Sequence, residues 1–299
     1  MSNIVHWKNY ELETVDYVGA QINGGRLQKF WVEDIKSGRQ FLIKASGYLS
    51  YEPFSEKIAY IIGKNLGFDV LKYDIIPSEL FKDFVNTNPF CKYASICERI
   101  DKKGYSITTI AEIKRARNIV RPINKKPFTN KEIMMELLPK EYIDRMILFD
   151  AIIGNKDRNY GNIHLLRNTK GKIKPAPLLD NGDSLLASSL LLLDMIHSRK
   201  IGEYENQSSM IFKTQDGQMS MIDTLDSINY NIPAKTIQIL LDIEPILKLM
   251  NPFRAQLIRK YISYRLHKYL GMLKESRRIN INTDEELKVE KEYDDQKRL

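Results

Sequence analysis

Asp150-Ala151-Ile152-Ile153-Gly154-Asn155-Lys156-Asp157-Arg158-Asn159-Tyr160-Gly161-Asn162-Ile163-His164 is the stretch whose reading decides the fold. Its first residues close an amphipathic helix, its last residues open a strand, and no apolar core would tolerate the polar run between them. Asp157 and Asn162 stand five positions apart, and Asp180 follows Asp157 by 23 residues in Pro177-Leu178-Leu179-Asp180-Asn181-Gly182. An acid, an amide at the fifth position and a second acid beyond a short hairpin is the order a phosphotransferase uses. One carboxylate takes the acceptor hydroxyl's proton, while the amide and the other carboxylate hold magnesium on the nucleotide. Each residue alone has a plainer reading, as a turn cap (Asp157), a turn amide (Asn162) or part of a β-turn (Asp180-Asn181-Gly182). Their joint order carries the chemical reading.

Upstream, residues 1 to 50 read as strands. Tyr10 to Gly19, Lys29 to Ile35 and Gln40 to Ala45 are separated by Gly19 to Arg26 and by Lys36-Ser37-Gly38-Arg39. Asn23-Gly24-Gly25 supplies residues that accept positive φ, so it makes either a tight hairpin turn or a loop whose N–H groups approach phosphate oxygens. Lys44 ends the apolar strand Phe41-Leu42-Ile43. A helix is read from Ser55 as N-cap to Gly67, with Ile58, Ile61, Ile62 and Leu66 on one face. Glu56 in its first turn is the natural partner for Lys44, with Glu52 as the alternative. Val70 to Ile76 and Tyr93 to Asp101 complete an expected five-stranded sheet, and Glu98 to Asp101 leads out of it.

Downstream, helices are expected over Ser106 to Asn118, Asn130 to Leu138, Lys140 to Ile153, Pro233 to Met250 and Pro252 to Lys274. The hairpin around Asn168-Thr169-Lys170-Gly171 joins Asn162 to Asp180. In the last helix Tyr261 and Tyr269 fall on the core stripe, and Arg254, Arg259, Lys260, Arg265 and Lys268 are expected on the solvated face. The residues after Ser276 are densely charged and read as poorly ordered.

The chain has 299 residues, 43% apolar and 28% charged, enough for one large domain or two lobes. Two cysteines, Cys91 and Cys97, form neither a disulfide framework nor a metal motif, which fits a reducing, cytoplasmic setting. Secretion by a route without a cleavable signal would leave no mark here. Leu185 to Ile196, the longest apolar run, is interrupted and too short for a membrane span. The net charge of +8 suits an anionic cofactor or acidic partner. Direct nucleic-acid binding is the lesser reading, because lysine-rich helix faces are usually only solvated.

On Ile153 to Asp183, Phe41-Leu42-Ile43-Lys44, Ser55-Glu56 and Cys97-Glu98-Arg99-Ile100-Asp101, the sequence resembles the HipA-like kinases. These are a bacterial branch of the protein-kinase-like fold that includes the CtkA-type kinases. The resemblance implies an α+β, two-lobed protein-kinase-like fold. A small antiparallel β-sheet lobe with one helix (1–101) would precede a larger, mainly helical lobe (102–276) and a charged tail (277–299). It implies phosphorylation of serine or threonine on a protein substrate, the chain itself among the candidates, from ATP and Mg2+. Asp157 would be the base, and Asn162 and Asp180 the metal ligands. Lys44 would contact the phosphates, supported by Glu56. Glu98 and Ile100 would meet adenine through their backbones and Asp101 the ribose, and Asn159 stands where HipA-like proteins often carry a phosphate-contacting histidine.

Three features depart from kinase patterns. Gly154-Asn155-Lys156-Asp157 stands in place of a His-Arg-Asp triplet. Asn181 replaces the aromatic of Asp-Phe-Gly, so a switch built on that ring is not expected. Gly19 to Arg26 contains no serine or threonine to be phosphorylated. The rival readings are a small-molecule or lipid kinase of the same fold and a non-catalytic nucleotide-binding pseudokinase.

Overall fold

The computed structural model describes residues 4–15, 29–46, 51–81, 92–101, 104–122, 125–187 and 235–275. The expected phosphate loop Asn23-Gly24-Gly25 and the tail from 277 lie outside the described residues. Contacts divide the chain into two compact units. One gathers the described residues of Met1–Lys57, Leu71–Pro139 and Arg158–Ser188, the other those of Ile58–Val70, Lys140–Asp157 and Ser189–Leu299.

The first unit holds a six-stranded antiparallel sheet, in the order β1-β2-β3-β4-β6-β5. Its strands are β1 (Val5–Trp7), β2 (Tyr10–Val15), β3 (Lys29–Asp34), β4 (Gln40–Lys44), β5 (Tyr73–Pro77) and β6 (Tyr93–Glu98). The sheet has one strand more than expected because β1 forms a hairpin with β2 through Val5 opposite Leu12 and Trp7 opposite Tyr10. Strand alternation gives it two faces. Phe41 and Ile43 join Leu12, Val32, Ile76 and Ile96 in one buried cluster. Leu42 joins Tyr73, Cys97, Leu166 and Leu179 in another. Lys44 shares the Leu42 face by register.

A separate three-stranded sheet of β7 (Tyr105–Thr109), β8 (His164–Asn168) and β9 (Ile173–Pro175) completes the described strands of this unit. The expected helix from Ser106 therefore gives way at its start. Tyr105 to Thr109 pair with β8, and α2 (Ile110–Ile119) begins only after Thr109. Thr109 and Glu112 form a reciprocal capping box, as Thr129 and Glu132 do for α3 (Asn130–Leu137). The Thr-x-x-Glu spacing fixes both starts, and β-branched Ile107, Thr108 and Thr109 favour the strand before the first.

Helix α1 (Glu52–Asn65) starts three residues before the expected Ser55 N-cap. Ser55 lies inside the helix, and its hydroxyl donates instead to the Ser184 carbonyl at 3.0 Å. Glu52 to Lys57 belong to the first unit.

The described part of the second unit is helical. It contains the rest of α1, then α4 (Lys140–Ile153), α5 (Thr236–Leu247) and α6 (Pro252–Glu275). From Met146 to Ile153 every residue of α4 is buried, and α6 packs along it. Arg254 and Arg265 correct the expectation of a solvated face, since both are fully buried. The Arg265 guanidinium donates to the Ala151 carbonyl from Nε at 2.6 Å and lies 5.2 and 5.1 Å from the rings of Tyr261 and Tyr269. Gly154 ends α4 at a φ of +63°. A Cβ there would overlap the Tyr261 hydroxyl, so the turn needs glycine twice over.

Candidate active site

The first unit contains a cavity of about 210 Å³. Lys44 and Leu42 of β4 line it beside Lys29 and Trp31 of β3, which the strand register sets directly opposite them. The exit of β6, Glu98 to Asp101, forms its rim. Thr109 and His164 of the small sheet, with Asn162 and Asp180, complete the wall. Six of the expected residues thus face one cavity: Lys44, Glu98, Ile100, Asp101, Asn162 and Asp180.

Lys44 is 5% exposed, which rules out surface decoration. Its ammonium donates to Glu56 Oε1 at 3.1 Å and to Asp180 Oδ1 at 2.5 Å. Glu56 takes the partner role, not Glu52, and its Oε2 accepts the Asn181 N–H at 3.0 Å. One glutamate therefore fixes both the lysine and the residue after Asp180. Burial alone would draw the Lys44 ammonium down, but Asp180 and Glu56 hold it well above the ordinary lysine value. Burial pushes the Glu56 carboxyl up. For Asp180 burial works the same way, but Lys44 and His164 outweigh it and hold the carboxyl far below the usual range. Charge is thus kept on Lys44 and on Asp180, the carboxylate that faces the cavity.

Asp180 sits at a φ of +58°, a conformation unfavourable for a residue other than glycine by about 1–3 kcal/mol. Its flanks are pinned by Arg158, which the sequence reading did not single out. The Arg158 guanidinium donates to the carbonyls of Asn162 (3.0 Å) and Leu179 (2.5 Å) and to Asn181 Oδ1 (2.6 Å). It thereby ties the backbone of Asn162 to the residues on both sides of Asp180. Only the number of inward carbonyls signals this role, and that is not visible along the chain. The Asn181 carbonyl accepts the Ser184 hydroxyl at 2.6 Å, so the place of the expected aromatic is filled by a hydrogen-bonded amide.

Other lining residues were also missed. Lys29 lies one strand from Lys44, and burial lowers its ammonium, with Lys44 acting in the same sense. Cys97 is a buried thiol pushed up to about 12 by desolvation, so it is inert. Burial lowers the His164 imidazole, whose Nε2 lies 3.9 Å from Asp180 Oδ2.

At the rim, Glu98 turns its side chain outward to Arg39. Arg99 grips Asp101 through two contacts of 2.9 Å and donates to Gln40 Oε1 at 2.6 Å. The expected ribose partner is therefore held in place by its neighbour. Asn159 does not line the cavity. Its Oδ1 caps the turn by accepting the Gly161 N–H at 2.8 Å.

Asp157 belongs to the second unit and is exposed. Its N–H donates to Asn155 Oδ1 at 2.9 Å, and Asn155 Nδ2 donates to the fully buried Asp150 at 3.1 Å. Asp150, the one polar residue of the buried run Met146 to Ile153, thus anchors the turn that carries Asp157. Among the described residues no three His, Cys, Asp or Glu side chains are grouped to hold a metal ion, and no helix is long and apolar enough to cross a membrane.

No protein-family model and no curated protein matches the sequence. Solved structures do. The proinflammatory kinase CtkA of Helicobacter pylori aligns over 88% of this chain and 94% of its own, with a TM-score of 0.57 and 15% identity. HipA of Shewanella oneidensis MR-1, solved with HipB and operator DNA, aligns over 89% of this chain and 69% of its own (TM-score 0.46, 14% identity). The choline kinase LicA of Streptococcus pneumoniae aligns over 86% and 93% (TM-score 0.26, 12% identity). The likeness to CtkA is one of fold. An antiparallel sheet with its helix, followed by a mainly helical remainder, is the protein-kinase-like fold.

Proposed function

We propose that the chain is an ATP- and magnesium-dependent phosphotransferase of the HipA-like type that acts on serine or threonine hydroxyls of a protein, with itself as one candidate acceptor. The observation that carries this reading is the Lys44 ammonium shared between Glu56 and Asp180, on the wall of a cavity that Asn162 and the β6 exit also line. Phosphoryl transfer needs little covalent help and depends on prealigned charge. Lys44 is the cation aimed at the nucleotide phosphates, and Glu56 keeps it there. Glu98 and Ile100 offer backbone groups to the adenine edge, and Asp101, steadied by Arg99, offers an acceptor to the ribose. Asn159 and the Asn23-Gly24-Gly25 loop remain proposed phosphate contacts.

The amide of Asn162 and the carboxylate of Asp180 are hard oxygen donors in one cavity, which suits magnesium. That cation commonly takes only one or two protein carboxylates and fills its shell with phosphate oxygens and water. When bound it would neutralise charge on the transferring phosphoryl group. Arg158 acts as a positioning residue, because it holds the backbone on which both ligands stand. Asp157 takes the proton from the acceptor hydroxyl.

Intact mass after incubation with magnesium and ATP tests this reading, run with a lysate phosphorylated from labelled ATP and separated into protein and small-molecule fractions. Label in the protein fraction, abolished in Asp157→Asn, is expected. Label only in small molecules would move the acceptor class. Absence of any ATP turnover would leave a nucleotide-binding pseudokinase.

A further inference from the structure

The β7-β8-β9 sheet has two working faces. The register that turns Ile107, Thr109 and His164 toward the nucleotide-sized cavity turns Arg167 and Ile173 to the opposite side. There they border a second cavity of about 530 Å³, closed across by Ile113, Ala116 and Arg117 of α2. Thr108 and Glu112 line both cavities at their common end.

The chemistry of the second groove is uneven. Ile113, Ala116 and Ile173 give it an apolar floor. Its one carboxylate, Glu112, is committed to the capping box, where Oε2 accepts from the Thr109 N–H at 2.9 Å and the Thr108 hydroxyl at 3.2 Å. Arg117 is satisfied by Glu136 at 2.6 and 3.0 Å. Arg167 is exposed, and no described carboxylate pairs with it. Lys170 and Lys172 flank it on the hairpin in the same state, and Gly171 leaves the tip between them without a side chain. The groove therefore combines an apolar seat with a guanidinium, Arg167, that no described carboxylate pairs.

An aliphatic side chain flanked by carboxylates matches both features. A nucleic acid would need a row of cations at phosphate spacing and would leave the apolar floor unused. We propose that this groove docks an acidic segment of the acceptor protein, with one aliphatic side chain on Ile113, Ala116 and Ile173 and a neighbouring carboxylate on Arg167. Only the identity of the partner as the acceptor of phosphate rests on the kinase reading. Because the groove and the nucleotide cavity use opposite faces of one sheet, the docked segment is separate from the phosphorylated hydroxyl.

The test is fluorescence anisotropy with a short labelled peptide of Glu and Ser carrying one central Leu. It is compared with its Leu-to-Ser and Glu-to-Lys versions and with single-stranded DNA, all on the full chain. The Leu peptide is expected to bind, to weaken about tenfold or more on Arg167→Glu and on removing its Leu, and to loosen as salt rises. Ala116→Trp, which fills the groove from an exposed helix position, should weaken it too. Melting curves of both variants show that they fold. Equal affinity across wild type and both variants, or no binding to wild type, overturns the proposal. Binding of the DNA that depends on Arg167, with none of the peptide, overturns it in favour of a nucleic-acid surface. Peptide binding preserved in a protein that transfers no phosphate would remove the kinase reading and leave the groove standing.

Discussion

Arg158 and Arg265 are both buried, one in each compact unit, and they are satisfied in different ways. Arg158 meets two carbonyls and a side-chain amide, all belonging to the loop that presents Asn162 and Asp180. Among the described partners of Arg265 are the Ala151 carbonyl at the end of α4, the Tyr269 hydroxyl at 3.4 Å and the faces of Tyr261 and Tyr269. The first set is polar throughout, stands behind an open cavity and keeps a strained Asp180 in place. The second is half aromatic and closed, and it braces the helix end from which the chain runs on through Gly154 to Asp157. One guanidinium serves alignment and the other packing, although their burial is alike. Burial of a charge is therefore no guide to its role, whereas the identity of its acceptors is.

The sharpest way to break this comparison is to remove the groups that the two frames present. Asp157→Asn and Asp180→Asn should each cost ~3–4 kcal/mol of transition-state stabilisation, or two to three decades in turnover, by analogy with a lost oxyanion donor. Asp157→Asn should melt within about 1 kcal/mol of wild type, since Asp157 is exposed. Steady-state kinetics beside thermal melts checks both, and wild-type turnover in either variant would remove it from the site.

Lys44→Met comes next, with a loss of about 3–5 kcal/mol in folding stability, because a buried pair loses its cation. Its pH dependence is diagnostic. In wild type the depressed Asp180 carboxyl contributes stability that is fully present above the usual carboxylate range and is lost as pH falls from that range down through the lower folded value. In Lys44→Met two carboxyls face each other without the cation, so their folded values rise above the unfolded ones. The variant should then be less impaired at pH 5 than at pH 7, as urea titrations at the two values would reveal.

Gly154→Ala should cost about 2–4 kcal/mol, from the positive φ and the overlap with Tyr261 together. Adding Tyr261→Phe should return part of that cost, and a double-mutant cycle measures how much. The arginines are then compared directly. Arg158→Lys should lower turnover about tenfold or more while ATP KM changes less, whereas Arg265→Met should lower stability by about 1–2 kcal/mol with activity per folded molecule retained. A shared kinetic phenotype would dissolve the distinction. Smallest of all, Glu98→Ala should change stability by less than about 1 kcal/mol and leave ATP affinity nearly intact, because among the described residues its side chain pairs with exposed Arg39.

Much of this was legible along the chain. The apolar run before Lys44, the acid in the first turn of α1 and the spacing of Asp157, Asn162 and Asp180 rest on local chemistry, and local chemistry is written in order. The start of α2 was misread although Thr109 and Glu112 carry the capping signature, because helical spacing over Ser106 to Ile110 competes with strand pairing that only β8 supplies. Arg254 and Arg265 looked solvated because period alone assigns a face, not the neighbour that covers it. Arg158 and Lys29 were invisible for a related reason: one is defined by two carbonyls and a side-chain amide on residues 162 to 181, the other by a strand register.

The sequence by itself determined most of the order of strands and helices and the acids, amide and lysine proposed for the site, since these follow from periodicity and residue type, while the kinase-like reading came from the resemblance those residues carry. Only the tertiary structure decided that Glu56 rather than Glu52 meets Lys44, that Asp180 keeps its charge, and that the small sheet offers a second, cationic groove. Those outcomes depend on burial and cross-strand register, which are set by contacts between distant residues and by the desolvation those contacts impose.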